Sequence, residues 1–340
     1  MKNIKIATLW DARNFGAFLQ AYALSSFLKA RGFEVAFIKE KKDKVTFPLK
    51  SFIRSFLVRL GVFGVKSKYQ YLQDKKITDY HSKFSFCESE KKSFATVVGS
   101  DEIWNISSPY FPHLPIYFGE GANSDVVISY AASSNTSTKE DFIRIIGDNP
   151  FARFNYISVR DRYTKQVVES FLLGKESKLV LDPTFLLDDY DDILIPTKLD
   201  NYLFVYGYSF SEEEQSIIKF AAEKKHLKIV SAGPYLEWTD IQIPASPGEF
   251  LGLVKGADFV MTSTFHGTVF SIILQKQFVS FCRDNNKVLD ILDNLSLSSR
   301  NCSLNDVSTV LEVPINFDEL SKRLHSLKDS SIQFLLNAME

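Results

Sequence analysis

Five histidines occur in this 340-residue chain, and His266 has the most suggestive setting: "MTSTFHGTVFSIIL" (261–274). An apolar run ends, "TFHG" turns, and a helical pattern begins. The first turn of a helix carries unpaired N–H groups and the positive end of the dipole, so it attracts anions. Gly267 would let the backbone approach a ligand, and the hydroxyls of Thr264 and Thr268 would add donors. A histidine here is disfavoured as imidazolium until an anion arrives, which makes it a switchable donor or acid. A histidine that caps or packs on a neighbour fits the same pattern. Arg160 closes "NYISVR", and a guanidinium emerging from a strand can grip a carboxylate or phosphate in two places. An interdomain ion pair is the alternative. Asp101 follows "VVGS" with Trp104 three residues on. A carboxylate beside an indole suits a sugar, and equally describes a capping aspartate beside a packed tryptophan.

These residues need strands to aim them. "IKIATLW" (4–10), a helix carrying Ala17, Ala21, Leu24 and Leu28 and ended by Gly32, and "EVAFI" (34–38) make a βαβ unit. Its first loop, with Asn14 and Gly16, is a ligand edge. Further apolar runs follow: "TVVGSDEIWN" (96–105), "VVISYAASS" (126–134), "NYISVRDR" (155–162) and "KLVLDPTF" (178–185). Such runs suit a buried parallel sheet, which gathers ligands at its carboxyl edge. Asp101, Ser133, Arg160 and Asp182 are therefore candidates to share one edge. After the acidic linker "DDYDDILIP" (188–196) a second alternation begins. It has strands at 202–208, 227–233, 257–263 and 277–281. Capping boxes at Ser211/Glu214 and Ser246/Glu249 start two of its helices, and helix is predicted near 267–275 and from Asn316 onward. The architecture predicted is α/β, with two similar halves at 1–195 and 196–340.

Composition excludes several classes. A net charge of −1 argues against a dedicated nucleic-acid binder. Three scattered cysteines read as reduced thiols, and the short apolar start is no secretory signal, so a cytoplasmic protein is expected. There is no dinucleotide fingerprint, Walker loop or H-E-x-x-H, and no metal site is expected. The D-x-D spacing in "DDYDD" could hold a metal–diphosphate, but a solvated linker is the plainer reading. Residues 39–92 carry 14 Lys+Arg against 6 Asp+Glu. Their "FIRSFLVRLGVF" (52–63) is basic and amphipathic. This reads as a helical insertion packed on its own domain, or as a contact with a membrane surface or polyanion.

Taken in order, "NFGAFLQAYAL" (14–24), "VVGSDEIWN" (97–105), "SYAAS" (129–133), "ISVRD" (157–161), "LDPTFLL" (181–187) and "TSTFHGTVFSI" (262–272) resemble the polysaccharide pyruvyl transferase family. The resemblance implies two Rossmann-like domains in a GT-B-like, glycosyltransferase-like arrangement with the site in the interdomain cleft. It implies transfer of the enolpyruvyl group of phosphoenolpyruvate onto sugar hydroxyls as a ketal, with no cofactor. The family's donor-binding arginine falls on Arg160 and its histidine on His266. Thr264 stands where the family has a second arginine; either Arg162 fills that gap or the donor differs.

On that reading the donor side comprises Arg160, His266, Thr264, Gly267 and Thr268. The acceptor side comprises Asn14, Asp101 and Trp104. His266 is the candidate acid, and Asp101 and Asp182 are candidate bases. The expected partners are phosphoenolpyruvate and a glycan of capsule, exopolysaccharide or wall polymer, lipid-linked or nucleotide-linked. Residues 39–92 would suit a peripheral contact with the inner membrane face. A nucleotide-sugar glycosyltransferase and a non-catalytic sugar- or anion-binding protein remain alternatives.

Overall fold

The computed structural model describes residues 2–39, 64–110, 113–174, 176–281, 285–302 and 307–340. The apolar runs of the first half form seven parallel strands: β1 (Asn3–Ala7), β2 (Glu34–Ile38), β3 (Phe86–Cys87), β4 (Ser93–Val98), β5 (Ser124–Ala132), β6 (Tyr156–Val159) and β7 (Lys178–Leu179). Their spatial order is β3-β2-β1-β4-β5-β6-β7. The second half gives five more: β8 (Tyr202–Tyr206), β9 (Lys228–Ala232), β10 (Ile241–Ile243), β11 (Phe259–Thr262) and β12 (Phe278–Ser280), ordered β10-β9-β8-β11-β12. Both sheets are doubly wound. Chain order reverses between β1 and β4 in the first and between β8 and β11 in the second. Open α/β sheets bind ligands at such reversals, beyond the carboxyl ends of the strands.

The helix after β1, α1 (Phe15–Lys29), starts where Asn14 accepts a hydrogen bond from the Ala17 N–H. Twelve of its fifteen residues are buried, on every side. A helix apolar all round must be covered all round. Here the first sheet covers one side, and the helices α6 (Pro247–Gly256) and α7 (Phe265–Ile273) of the second half cover another. Phe15 stacks on Phe250 at 4.5 Å between ring centres and lies 5.5 Å from Tyr206. One continuous apolar core thus joins both halves. The capping boxes at Ser246/Glu249, which starts α6, and at Ser211/Glu214, which starts α5 (Glu212–Lys225), form as the sequence indicates. The linker 188–196 is not merely solvated, because Tyr190 is buried against Phe270.

Two elements depart from the simple halves. Helix α2 (Val65–Tyr80) belongs to the basic segment but docks on the second domain. Its Tyr69 hydroxyl donates to the Ile243 carbonyl, Gln73 exchanges two hydrogen bonds with the Ala245 backbone, and Lys76 pairs with Glu249. The described part of the segment is therefore a bridge between the domains rather than an insertion packed on its own. The stretch 52–63 lies outside the described residues. The last helix, α10 (Phe317–Asn337), lies in the region expected to be helical, is capped by Asn316, and also crosses. Its Ser331 hydroxyl accepts from the Leu181 N–H and Lys328 reaches Leu187 and Asp188, so its second half packs on the first domain. Among the described residues, no helix is long and apolar enough to cross a membrane.

Candidate functional site

Each site residue leaves a strand at its carboxyl end. Asn14 follows β1 and Asp101 follows β4, at the reversal of the first sheet. Arg160 follows β6 and Asp182 follows β7. His266 follows β11, at the reversal of the second sheet. The packing of α7 against α1 brings His266 across to the others. Gly16 is what allows it, since a Cβ there would sit 2.0 Å from His266 Nδ1.

At the centre, Arg160 Nη1 donates to Asp182 Oδ2 at 2.7 Å, and Nη2 donates to Asp101 Oδ1 at 3.5 Å. The Arg160 side chain is only 3% exposed and that of Asp182 is fully enclosed. The guanidinium also lies 4.4 Å above the Phe265 ring. His266 Nε2 stands 3.7 Å from Asp182 Oδ2, an electrostatic contact longer than a hydrogen bond. Burial alone would raise the Asp182 carboxyl, but the His266 imidazole, the Arg160 guanidinium and the Thr184 N–H reverse this. They hold it well below the usual carboxylate range. The Arg160 guanidinium, despite its burial, is held more firmly protonated by Asp182 and Asp101. Arg160 Nε and His266 Nε2 are both buried without a hydrogen-bond partner.

Asp101 differs from Asp182. Its side chain is 14% exposed, and its bonds, from the Glu102 N–H and from Arg160, both end on Oδ1. Its φ of +76° places a non-glycine residue in the left-handed region. Such strain persists where surrounding structure enforces it, commonly at functional sites.

Four expectations need correction. Trp104 is fully buried among Phe151 and Phe154, and its indole N–H donates to the Tyr117 carbonyl, so it offers no ring face to a sugar. Its neighbour Glu102 faces the seam instead. The α7 N-terminus is largely self-capped. Thr264 Oγ1 accepts from the Gly267 N–H, and the Thr268 N–H and hydroxyl both bond the Thr264 carbonyl, with Ser280 beside them. A Cβ at Gly267 would lie 2.0 Å from Thr262 Oγ1, so the packing of the turn itself requires glycine there. Asp182, expected as a candidate base, is enclosed and already paired with Arg160, with its carboxyl held well below the usual range, a setting that disfavours proton uptake. Arg162 does not fill the gap at Thr264. It is half-exposed, at the start of α4 (Arg162–Glu169), and bonds Asp293 and Asn294 of helix α8 (Asn286–Asn294), with Asp290 beside them. Asn14 caps α1 at the cleft floor, and its side-chain oxygen is engaged there.

Sequence reading missed Lys287 and Glu102. Lys287, on α8, forms a short ion pair with Glu102 across the domain seam, with its side chain 3% exposed. Burial would raise Glu102, but Lys287 and then Arg160 pull it below the usual range. The buried lysine lies in "NNKVLD", which carries no motif, so only three-dimensional proximity reveals it. A pocket of ≈ 550 Å³, open mouth included, lies at this seam with Arg160, Asp182, Phe265 and Lys287 in its wall. His266 is not among its lining residues. Among the described residues, no group of three or more His, Cys, Asp or Glu could hold a metal ion.

Comparison with known proteins agrees with this geometry. UDP-GlcNAc 2-epimerase from Neisseria meningitidis, solved with UDP-GlcNAc bound, aligns with a TM-score of 0.56 at 9% identity, over 99% of this chain and 100% of that one. UDP-GlcNAc 2-epimerase from Methanocaldococcus jannaschii aligns with a TM-score of 0.51 at 11% identity, over 92% of each chain. At such identities the likeness is one of fold, two Rossmann-like domains in a GT-B-like arrangement. No curated protein matches the chain in sequence. The sequence model of polysaccharide pyruvyl transferases matches residues 14–285. That span holds Asp101, Glu102, Arg160, Asp182 and His266 and ends just before Lys287, and the chain belongs to the polysaccharide pyruvyl transferase family.

Proposed function

We propose that this protein transfers the enolpyruvyl group of phosphoenolpyruvate to two hydroxyls of a sugar, forming a ketal during assembly of a bacterial surface polysaccharide. The observation that carries the reading is that Arg160 of the first domain and His266 of the second converge on one buried carboxylate, Asp182. Membership of the transferase family supports it.

In this mechanism a proton adds to the donor's methylene carbon, leaving an oxocarbenium-like centre. One sugar hydroxyl attacks that centre, the carbon–oxygen bond to phosphate breaks, and the second hydroxyl closes the ketal. One hydroxyl proton is balanced by the proton on carbon, and the other leaves with phosphate. Asp182 fixes the imidazole and the guanidinium. Arg160 and His266 meet the donor's negative charge, and His266 protonates the departing phosphate. Asp101, the less enclosed carboxylate, takes the hydroxyl proton. Three carboxylates (Asp101, Glu102, Asp182) face two fixed cations (Arg160, Lys287).

The test is to incubate the protein with phosphoenolpyruvate and a panel of nucleotide-linked and lipid-linked glycans. Phosphate release together with an acid-labile pyruvate adduct is expected. A protein stabilised by uridine nucleotides but not by phosphoenolpyruvate, with no phosphate released, would overturn this in favour of a nucleotide-sugar enzyme.

A further inference from the structure

Resting on the donor reading above, we propose that Lys287 and Arg160 form a cross-domain clamp for one anionic group of a small ligand, a phosphate or a carboxylate. Lys287 would then supply from the second domain the cation that Thr264 does not. Four observations lead there. Arg160, Arg162 and Lys287 all line the seam pocket, but Arg162 is half-exposed and already engaged by Asp293 and Asn294. Lys287 is buried, and an ammonium is costly to bury unless it is paired. Its partner Glu102 has other donors, since the side-chain amides of Asn105 and Asn135 donate to Oε2 at 2.8 and 3.0 Å. Glu102 therefore stays hydrogen-bonded if the lysine turns away, and the exchange leaves no bare carboxylate. Finally, Arg160 keeps a buried donor, Nε, that neither of its carboxylates uses.

The pocket wall adds apolar surface from Phe265 and Leu181 beside these cations. That combination suits a compact acid with a short carbon body rather than a bare inorganic ion alone. Because Arg160 and Lys287 belong to different domains, the clamp exists only while the seam is closed.

Calorimetric titration of the full chain with phosphoenolpyruvate, inorganic phosphate and pyruvate tests the clamp. Lys287→Gln should weaken phosphoenolpyruvate binding by about ten- to a hundredfold, the size expected for losing a hydrogen bond to a charged group. Lys287→Arg should restore most of it. Glu102→Gln should tighten binding, because it frees the lysine. A purely structural latch predicts the opposite for that variant, with both amide variants weaker. If Lys287→Gln does not fold, the Glu102→Gln/Lys287→Gln pair replaces both charges with amides, and its affinity is read instead.

Inorganic phosphate and pyruvate separate the two anionic ends. The one whose affinity depends on Lys287 is the end clamped. Unchanged affinity for phosphoenolpyruvate in a folded Lys287→Gln protein overturns the clamp and leaves the donor reading intact. Lys287-dependent phosphate binding without phosphoenolpyruvate binding keeps the clamp and sinks the donor. Binding of none of the three overturns both.

Discussion

Arg160 and Arg162 leave the same strand end two residues apart, and each meets carboxylates. Their surroundings differ sharply. Arg160 is enclosed with Asp182 and Asp101, lies over Phe265, and has a histidine from the other domain nearby. Arg162 lies half in solvent and reaches Asp293 and Asn294 on α8. In water an ion pair contributes little, because solvation and side-chain entropy offset the attraction. In an enclosed site the same pair is strongly interdependent, because each charge left alone would be desolvated and unmatched. Two neighbouring arginines with similar partners therefore carry different energetic weight: one is locked into an enclosed charge cluster, and the other makes a half-exposed contact between the domains.

The largest expected break in this contrast is Arg160→Ala. It strands two carboxylates and should cost about 3–5 kcal/mol of stability, as removing one partner of a buried pair does. Urea denaturation measures it, and a loss no larger than that of a surface variant would mean the cluster is effectively solvated. Next comes Gly16→Ala. The new methyl group would overlap His266 Nδ1, so the imidazole must move. A displacement near 1 Å can cost about a hundredfold in rate, roughly 2.7 kcal/mol. Turnover should fall that far while circular dichroism stays unchanged, and full activity in the variant would remove His266 from the reaction.

A third test uses acid. Asp182 is depressed in the folded protein, so its contribution is fully present above the unfolded value of about 3.9. As pH falls below that value, the unfolded chain takes up the proton first and stability drops. The loss continues as pH falls toward the folded value. Asp182→Asn should therefore be less stable at neutral pH and show a flatter stability curve below about pH 4. A parallel decline of both proteins would contradict the assigned electrostatics. The smallest effect belongs to Arg162→Ala, less than about 1 kcal/mol in the same denaturation assay.

Much of this cluster was legible in the sequence because strand ends are. A run of apolar residues that stops at a polar one names both the strand and its ligand edge, which is how Arg160, Asp101, Asp182 and His266 were found. The caps at Ser211 and Ser246 were equally plain, since a hydroxyl three residues before a glutamate is a local signal. What failed was anything set by packing at a distance. Trp104 beside Asp101 looks like a sugar platform until three-dimensional neighbours place it among Phe151 and Phe154. Thr264, Gly267 and Thr268 look like open donors until their own backbone consumes them. Lys287, distant in sequence from Glu102, gave no pattern at all, and the segment holding α2 read as an insertion packed on its own domain because its partners Ile243, Ala245 and Glu249 lie more than 160 residues on.

The last helix has a mechanical consequence. With 21 residues, α10 is a rod roughly 31 Å long at 1.5 Å per residue. One end joins the second domain, where Arg323 bonds Ser296, and the other lies along the first, where Ser331 holds Leu181. A rod cannot stretch, so it fixes the separation of its two anchor points. Any widening of the cleft must then turn about one end of that rod and also part α2 from the second domain.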